Sequence, residues 1–304
     1  MSAEFRAPTL DDLPALSAFF AELRDRHGAH VPTDGKLRDE LTRPGENIGE
    51  NYRIELDDGK VTGWAAVWSP EAQVTRAFLG IKALPRERAR YARLLDWSEK
   101  RLLDRSDGAS VNVHIPLDEG DEALVEELRE RGYELVRHFF EMEIDLADEP
   151  PPPSWPEPFT PRTFEPDDAQ AVYEADLEAF EDHWDPLDVT FDEWQAYFLG
   201  SAHFDPGLWF LVDDGDELAA FSLCSRRDGE HAGHVHVLGV RRPWRRRGLA
   251  KALLLHSFRE LRNRGCQQAR LNVDSENLTG AVRLYEDAGM HVLHRTARWA
   301  KEVQ

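Results

Sequence analysis

The chain has 304 residues, enough for two domains with sizeable cores. Hydrophobic residues make up 41% and charged residues 31%, and the formal net charge of −21 disfavours a nucleic-acid or anionic-membrane partner. Cys224 and Cys266 make no disulfide framework, no apolar run has bilayer length, and the opening Met-Ser-Ala-Glu-Phe-Arg lacks the features of a signal peptide, so a cytoplasmic location is expected.

In chain order, Arg6-Ala-Pro-Thr-Leu-Asp11-Asp12 predicts a helix start, and Leu13, Leu16, Phe20 and Leu23 follow at helical spacing. Leu124 to Leu128 reads as another helix, closed by Gly132 and followed by a strand signal. Glu149 to Pro158 is proline-rich and can continue neither a helix nor a central strand. It predicts a division into a domain of residues 1–148, a linker of 149–158 and a domain of 159–304.

The second half opens like the first, with Arg162-Thr-Phe-Glu-Pro-Asp167-Asp168. A strand is predicted at 159–163 and a helix at 167–180, through Ala171, Leu177 and Phe180. The loop Glu181-Asp182-His183-Trp184-Asp185-Pro186 leads to a helix from Thr190, which with Glu193 has capping-box spacing. Leu208–Val212 and Leu218–Cys224 flank Asp213-Asp214-Gly215-Asp216, a hairpin signal. A fourth strand ends at Val240, and a helix runs from Leu249 to Leu261. Ala269–Asp274 alternates like a fifth strand. Thr279 predicts the cap of a helix carrying Val282, Leu284, Tyr285 and Ala288, ended by Gly289. A strand pair, Met290–His294 and Arg298–Val303, completes the order β-α-α-β-β-β-α-β-α-β-β.

Residues 240–251 read Val-Arg-Arg-Pro-Trp-Arg-Arg-Arg-Gly-Leu-Ala-Lys. A helix start leaves several N–H groups unpaired and aimed at one spot. Gly248 has no Cβ, so an anion can approach the backbone there. Arg241, Arg242, Arg245, Arg246 and Arg247 add forked donors on an otherwise acidic protein. Pyrophosphate binding is the expected chemistry. On the fourth strand, alternation places His234 and His236 on one face and Val235 and Val237 on the other. A neutral imidazole is a competent base near pH 7. Histidines 231, 234 and 236 have no carboxylate or Cys at ligand spacing, so no metal is expected.

The spacing Arg245-x-x-Gly248-x-Ala250, followed by a strand, Asn277, and a helix with Tyr285 and Gly289-Met290, resembles the signature of the GNAT acetyltransferase superfamily over residues 159–304. The resemblance implies an α/β (α+β) fold of two GNAT-like domains, each a mixed, mostly antiparallel sheet with splayed central strands flanked by helices. It implies acetyl-CoA as co-substrate and direct acyl transfer to a small-molecule amine in a ternary complex. Backbone N–H groups of Leu238 and Val240, around Gly239, would hold the acyl carbonyl and the pantetheine amide. The segment Arg245, Arg246, Arg247, Gly248, Leu249, Ala250 and Lys251 would hold the pyrophosphate, and Asn277 and Ala281 would lie along the pantetheine arm. Tyr285 would be the general acid. Many relatives carry a glutamate at or near His234; here His234 or His236 acts as base or water relay, or both merely line the pocket. The loop with Asp182, His183 and Trp184 lies where the family covers the acceptor. Asp182 is placed to hold an ammonium group, and Trp184 either walls the acceptor or packs between the first two helices.

The first half lacks this chemistry. Pairing Pro85 with Pro243 puts Arg90 at Gly248, and pairing Gly132 with Gly289 puts Leu128 at Tyr285 and Gly120 at Asn277. It is expected to be a degenerate copy with a structural or lid role, or one that binds CoA without turnover. A non-catalytic acyl-CoA-binding protein is the alternative to an enzyme, and an intact Tyr285 argues against it. A monomer or homodimer is expected, and the acceptor's identity is not legible.

Overall fold

The computed structural model describes residues 4–304 apart from 30, 44–45, 70–73, 184–188, 227–230 and 277–279. Trp184, Asn277 and the expected cap Thr279 therefore lie outside the described residues. The chain forms two compact units: residues up to His138 together with Arg295–Gln304, and Phe139–His294.

The first unit contains β1 (Glu4–Arg6), α1 (Leu13–His27), α2 (Asp34–Thr42), α3 (Ile48–Asn51), β2 (Tyr52–Asp57), β3 (Lys60–Trp68), β4 (Arg76–Ala83), α4 (Arg88–Ser106), β5 (Val111–Asp118) and α5 (Glu122–Glu130). The next strand, β6 (Glu134–Asp145), carries the chain into the second unit. There follow β7 (Pro161–Thr163), α6 (Ala169–Phe180), α7 (Phe191–Phe198), β8 (Trp209–Asp214), β9 (Glu217–Arg226), β10 (Ala232–Val240), α8 (Leu249–Asn263), β11 (Gln268–Asp274) and α9 (Ala281–Asp287). The last strand, β12 (His291–Val303), returns to the first. Where a strand pair was expected at the C-terminus there is one long strand, since His294 to Ala297 supplies no Gly or Pro to turn the chain.

Each unit takes its last strand from the other half of the sequence. In the first unit the strand order is β1-β2-β3-β4-β5-β12, and Thr296–Val303 pair antiparallel with β5. In the second it is β6-β11-β10-β9-β8-β7, and Phe139–Asp145 pair antiparallel with β11. Only β4–β5 and β10–β11 are parallel among these neighbours.

The repeated sequence openings have the same local cause. Arg6 forks onto Asp12 at 2.8 Å, and Asp12 also accepts Thr9 N–H at 2.7 Å. Arg162 forks onto Asp168 at 2.6 and 2.8 Å, and Asp168 accepts Glu165 N–H at 2.7 Å. In both, the carboxylate satisfies a free donor at the helix entrance while the arginine ties it to the preceding strand.

In the second unit, α8 lays Leu249, Leu253, Leu254, Phe258 and Leu261 into a core shared with Met142, Ile144 and Leu271. Full burial of a side chain such as Phe258 stabilises by about 1.5–3 kcal/mol. A Cβ at Gly233 would lie 2.5 Å from Leu261 Cδ2, so this glycine lets α8 close onto β10. The proline-rich segment packs on α8: Arg259 donates to Pro150 O at 2.9 Å, and Trp155 meets the His256 ring edge-on at 5.9 Å.

The exchanged strand makes a prediction about fragments. A fragment of residues 149–304 lacks β6, leaving one edge of β11 unpaired and the Met142 and Ile144 sites empty. It should aggregate or unfold without cooperativity, whereas residues 139–294 should give a soluble, cooperative transition by circular dichroism. Equal behaviour of the two would contradict this pairing.

Candidate functional site

The second unit's sheet parts in its middle. The β10–β11 ladder runs only from Ala232↔Gln268 to His234↔Arg270, although β10 continues to Val240 and β11 to Asp274. On its other edge β10 stays paired with β9 as far as Val240↔Ala220, and Arg241 N–H reaches Ala219 O at 3.0 Å. Alternation turns Gly239 N–H the same way and turns Leu238 and Val240 N–H toward the gap. Gly239 itself is needed for packing, since a Cβ there would lie 2.3 Å from the Phe221 ring.

A β-bulge sits at the point of parting. Val235 pairs with Cys224 and Val237 with Leu223, leaving His236 as the extra residue. This corrects the expected alternation. Val235 packs into the core under α8, whereas Val237 packs with Trp194, Phe221 and Leu223 on the opposite face. The His234 and His236 rings stack at 5.8 Å, and Ser225 Oγ lies 2.7 Å from His236 Nε2. His234, His236 and Val237 thus share the face covered by α6 and α7. Nothing in the residue pattern marked the bulge.

Beyond β10 lies the arginine loop. Arg246 has φ +63° and Gly248 φ +89°, and left-handed residues of this kind curl successive N–H groups toward one point. Gly248 caps α8 with no side-chain hydrogen bond, so the first N–H groups of the helix, Leu249, Ala250 and Lys251, remain open toward the loop. A Cβ added at Gly248 would meet no atom within 4 Å. Beside Lys251 a cavity of about 550 Å³ is lined by Asp145, Asp148, Glu149 and Asp287. Those carboxylates disfavour an anion in that cavity.

The five arginines divide. Arg241 binds Glu178 at 2.6 Å, and Arg242 binds Asp182 at 2.8 Å and Glu181 at 3.0 Å. Arg245 donates to Val240 O at 3.1 Å and Ala179 O at 3.2 Å, with Asp182 at 3.6 Å. These three staple the loop to the C-terminal end of α6. Arg246 and Arg247 stay exposed.

Tyr285 is buried on α9, with Ala281 half-buried at the start of that helix. Burial pushes its phenol up to about 12, so it is a proton donor throughout the neutral range. Asp182 is exposed, and its hydrogen bond from Arg242 lowers its pKa. Its carboxylate is therefore already engaged by the loop. His183 stacks edge-on to Phe180 at 4.5 Å, and burial lowers its pKa against the pull of Asp274.

The first unit also parts its parallel pair, after Phe78↔His114, but the remainder differs. Its β4 pairs with β3 without a bulge from Gly63↔Ala83 to Trp68↔Phe78. The short turn Leu84–Glu87 replaces the arginine loop, and the helix cap is Glu87. This corrects the expected pairing of Arg90 with Gly248: Arg90 lies inside the first turns of α4, buried against Glu55 at 2.8 Å and Asp57 at 2.8 Å. Lys82 reaches across the parted strands to Asp118 at 2.5 Å, where the register of the second unit has Gly239.

A parted parallel pair above an uncapped, arginine-rich helix start defines the second unit. Residues 169–290 match the acetyltransferase (GNAT) family. A mycothiol acetyltransferase of Streptomyces coelicolor is 30% identical over 299 residues, covering 95% of this chain and 91% of that one. One from Streptomyces scabiei is 35% identical over 160 residues, a match spanning about half of each chain, 52% and 51%. A solved GCN5-related N-acetyltransferase from Sphaerobacter thermophilus superposes with a TM-score of 0.86 at 32% identity, over 99% of this chain and 96% of that one. The chain belongs to the GNAT family of acetyltransferases.

The division of the arginines predicts a division of phenotypes. Arg245→Ala should lower Tm by about 4–8 °C through its lost backbone bonds. Arg246→Ala and Arg247→Ala should stay within about 0.5 kcal/mol of the parent. Thermal unfolding that ranks all three alike would contradict the stapling role.

Proposed function

We propose that the second unit transfers an acetyl group from acetyl-CoA to the amine of a small molecule, directly and within a ternary complex. The observation that carries this reading is the gap between β10 and β11. It leaves the Leu238 and Val240 N–H groups aimed into a slot that widens toward the loop at Gly248. A pantetheine arm laid in that slot satisfies donors that the sheet leaves open. The thioester oxygen accepts from one of these N–H groups, which stabilises the oxyanion as the amine attacks. Arg246, Arg247 and the first N–H groups of α8 take the pyrophosphate, with Arg245 holding the loop in shape.

In this reading Tyr285 protonates the departing thiolate, as its raised pKa permits. His234 and His236 lie on the opposite face, beside the acceptor, where an imidazole pair relayed by Ser225 can take the amine's proton. By the family resemblance, Asn277 is assigned to the pantetheine arm and Trp184 to the acceptor side. The first unit is given no such role, because its turn is short and carries an acid, Glu87, where the second unit has Gly248. The relatives named mycothiol acetyltransferase support a small-molecule amine as the acceptor class. No described helix is long and apolar enough to cross a membrane, and a cytoplasmic enzyme fits the absence of a disulfide framework.

The test is consumption of acetyl-CoA over a panel of amino acids, polyamines, aminoglycosides and cysteinyl pseudodisaccharides. With the best acceptor, Tyr285→Phe should keep acetyl-CoA affinity within a few-fold and lower kcat by roughly 10²–10⁴-fold. A Tyr285→Phe enzyme with parental kcat removes Tyr285 from the chemistry. A chain that turns over no amine in the panel counts against the transferase reading itself.

A further inference from the structure

The internal repeat exposes a residue for which neither the loop nor the cleft accounts. Matching Arg6 and Asp12 with Arg162 and Asp168 brings α1 onto α6 in register. The buried stripe of α1 is Leu13, Leu16, Phe19, Phe20 and Leu23. Its counterpart on α6 is Ala169, Val172, Ala175, Asp176 and Ala179. The first unit thus fills the central position with Phe20, packed on Phe19 and Trp64. The second unit puts a carboxylate there, and the flanking positions shrink.

Asp176 has one partner among the described residues, the Trp194 indole N–H, which it accepts at 3.0 Å. A neutral acceptor such as asparagine would serve that indole equally well. Keeping a charge there opposes burial, which pushes the Asp176 carboxyl up to about 6 while the indole bond pulls it down. No arginine, lysine or histidine contributes to that balance. The other charged groups nearby are committed, Glu178 on α6 to Arg241 and Asp182, just beyond the helix, to Arg242. Tyr173 donates to Val189 O at 2.9 Å. On α7, Glu193 is held in the cap with Thr190. Asp176 lies on the face of α6 that covers β10, the face to which the bulge turns His234, His236 and Val237. A largely desolvated carboxylate on this face, with no cation beside it among the described residues, has the physical character of a group that binds a cation.

We propose that Asp176 binds the cationic nitrogen of the acceptor and so restricts the site to amines. This rests on the acetyltransferase reading above and names the residue that recognises its acceptor. Asn at this position retains volume and an acceptor for Trp194, so Asp176→Asn separates the charge from the packing.

The experiment uses the full chain, saturating acetyl-CoA and the best amine of the panel. Asp176→Asn should raise KM for the amine by about tenfold or more, leave acetyl-CoA affinity by calorimetry unchanged, and leave Tm equal or higher. Asp176→Glu, which keeps the charge, should recover part of the loss in KM. In the parent, a hydroxyl analogue of the amine should fail to compete. An active parent with an unchanged amine KM in Asp176→Asn overturns the assignment alone, as does competition by the hydroxyl analogue at parity. A parent that binds no acetyl-CoA overturns the transferase reading and this assignment with it.

Discussion

Backbone hydrogen bonding is the constraint on which the second unit turns. A central strand has a partner on each side, and β10 loses one of them after His234. The bulge at His236 is the local cause: an extra residue bends the strand and separates it from β11 while the β9 ladder continues. Most other features of the site fall into place around that gap. Gly239 keeps the bent strand packed on Phe221, and Gly233 keeps α8 close below. The unpaired donors have a use only if a ligand with matching acceptors enters the slot.

The loop beyond the gap shows how a basic island forms on an acidic chain. Exposed charge far from zero favours solubility and repels anions at long range. Concentrating arginines at one helix start reverses the sign locally, and the helix dipole adds to it. Arg241, Arg242 and Arg245 spend their charge on Glu178, Asp182 and backbone carbonyls of α6. The loop that would take the cofactor and the segment entering the acceptor loop are thereby held by the same side chains. The first unit shows the converse state, with a short turn, an acidic cap and a Lys82–Asp118 bridge across its parted strands.

Most of the second half's element order was legible because its helices and hairpin carry strong local signals. The Thr190–Glu193 capping box, the Asp-Gly hairpin at Gly215, the Gly248 turn before α8 and the stop at Gly289 all stand where periodicity and turn chemistry put them. What escaped is non-local. A bulge depends on the register of two strands, and neither carries a mark of it. The exchange of β6 and β12 depends on which edge each strand meets, which a single sequence does not encode in any short window. The two loops differ in length, so aligning Pro85 with Pro243 does not align the helix starts, and Glu87 rather than Arg90 stands at the cap. Asp176 was hidden by its neighbours. It reads as a polar residue on an amphipathic helix until the fold half-buries it against Trp194.

The proposed acetyl-CoA seat is single, built by the second unit's gap and the Gly248 turn. Calorimetric titration of acetyl-CoA into the full chain tests it most directly. One equivalent should bind, with affinity falling as salt rises, and Gly248→Arg should abolish binding while the protein stays folded. Two equivalents, or a folded Gly248→Arg protein that binds as tightly as the parent, would contradict it.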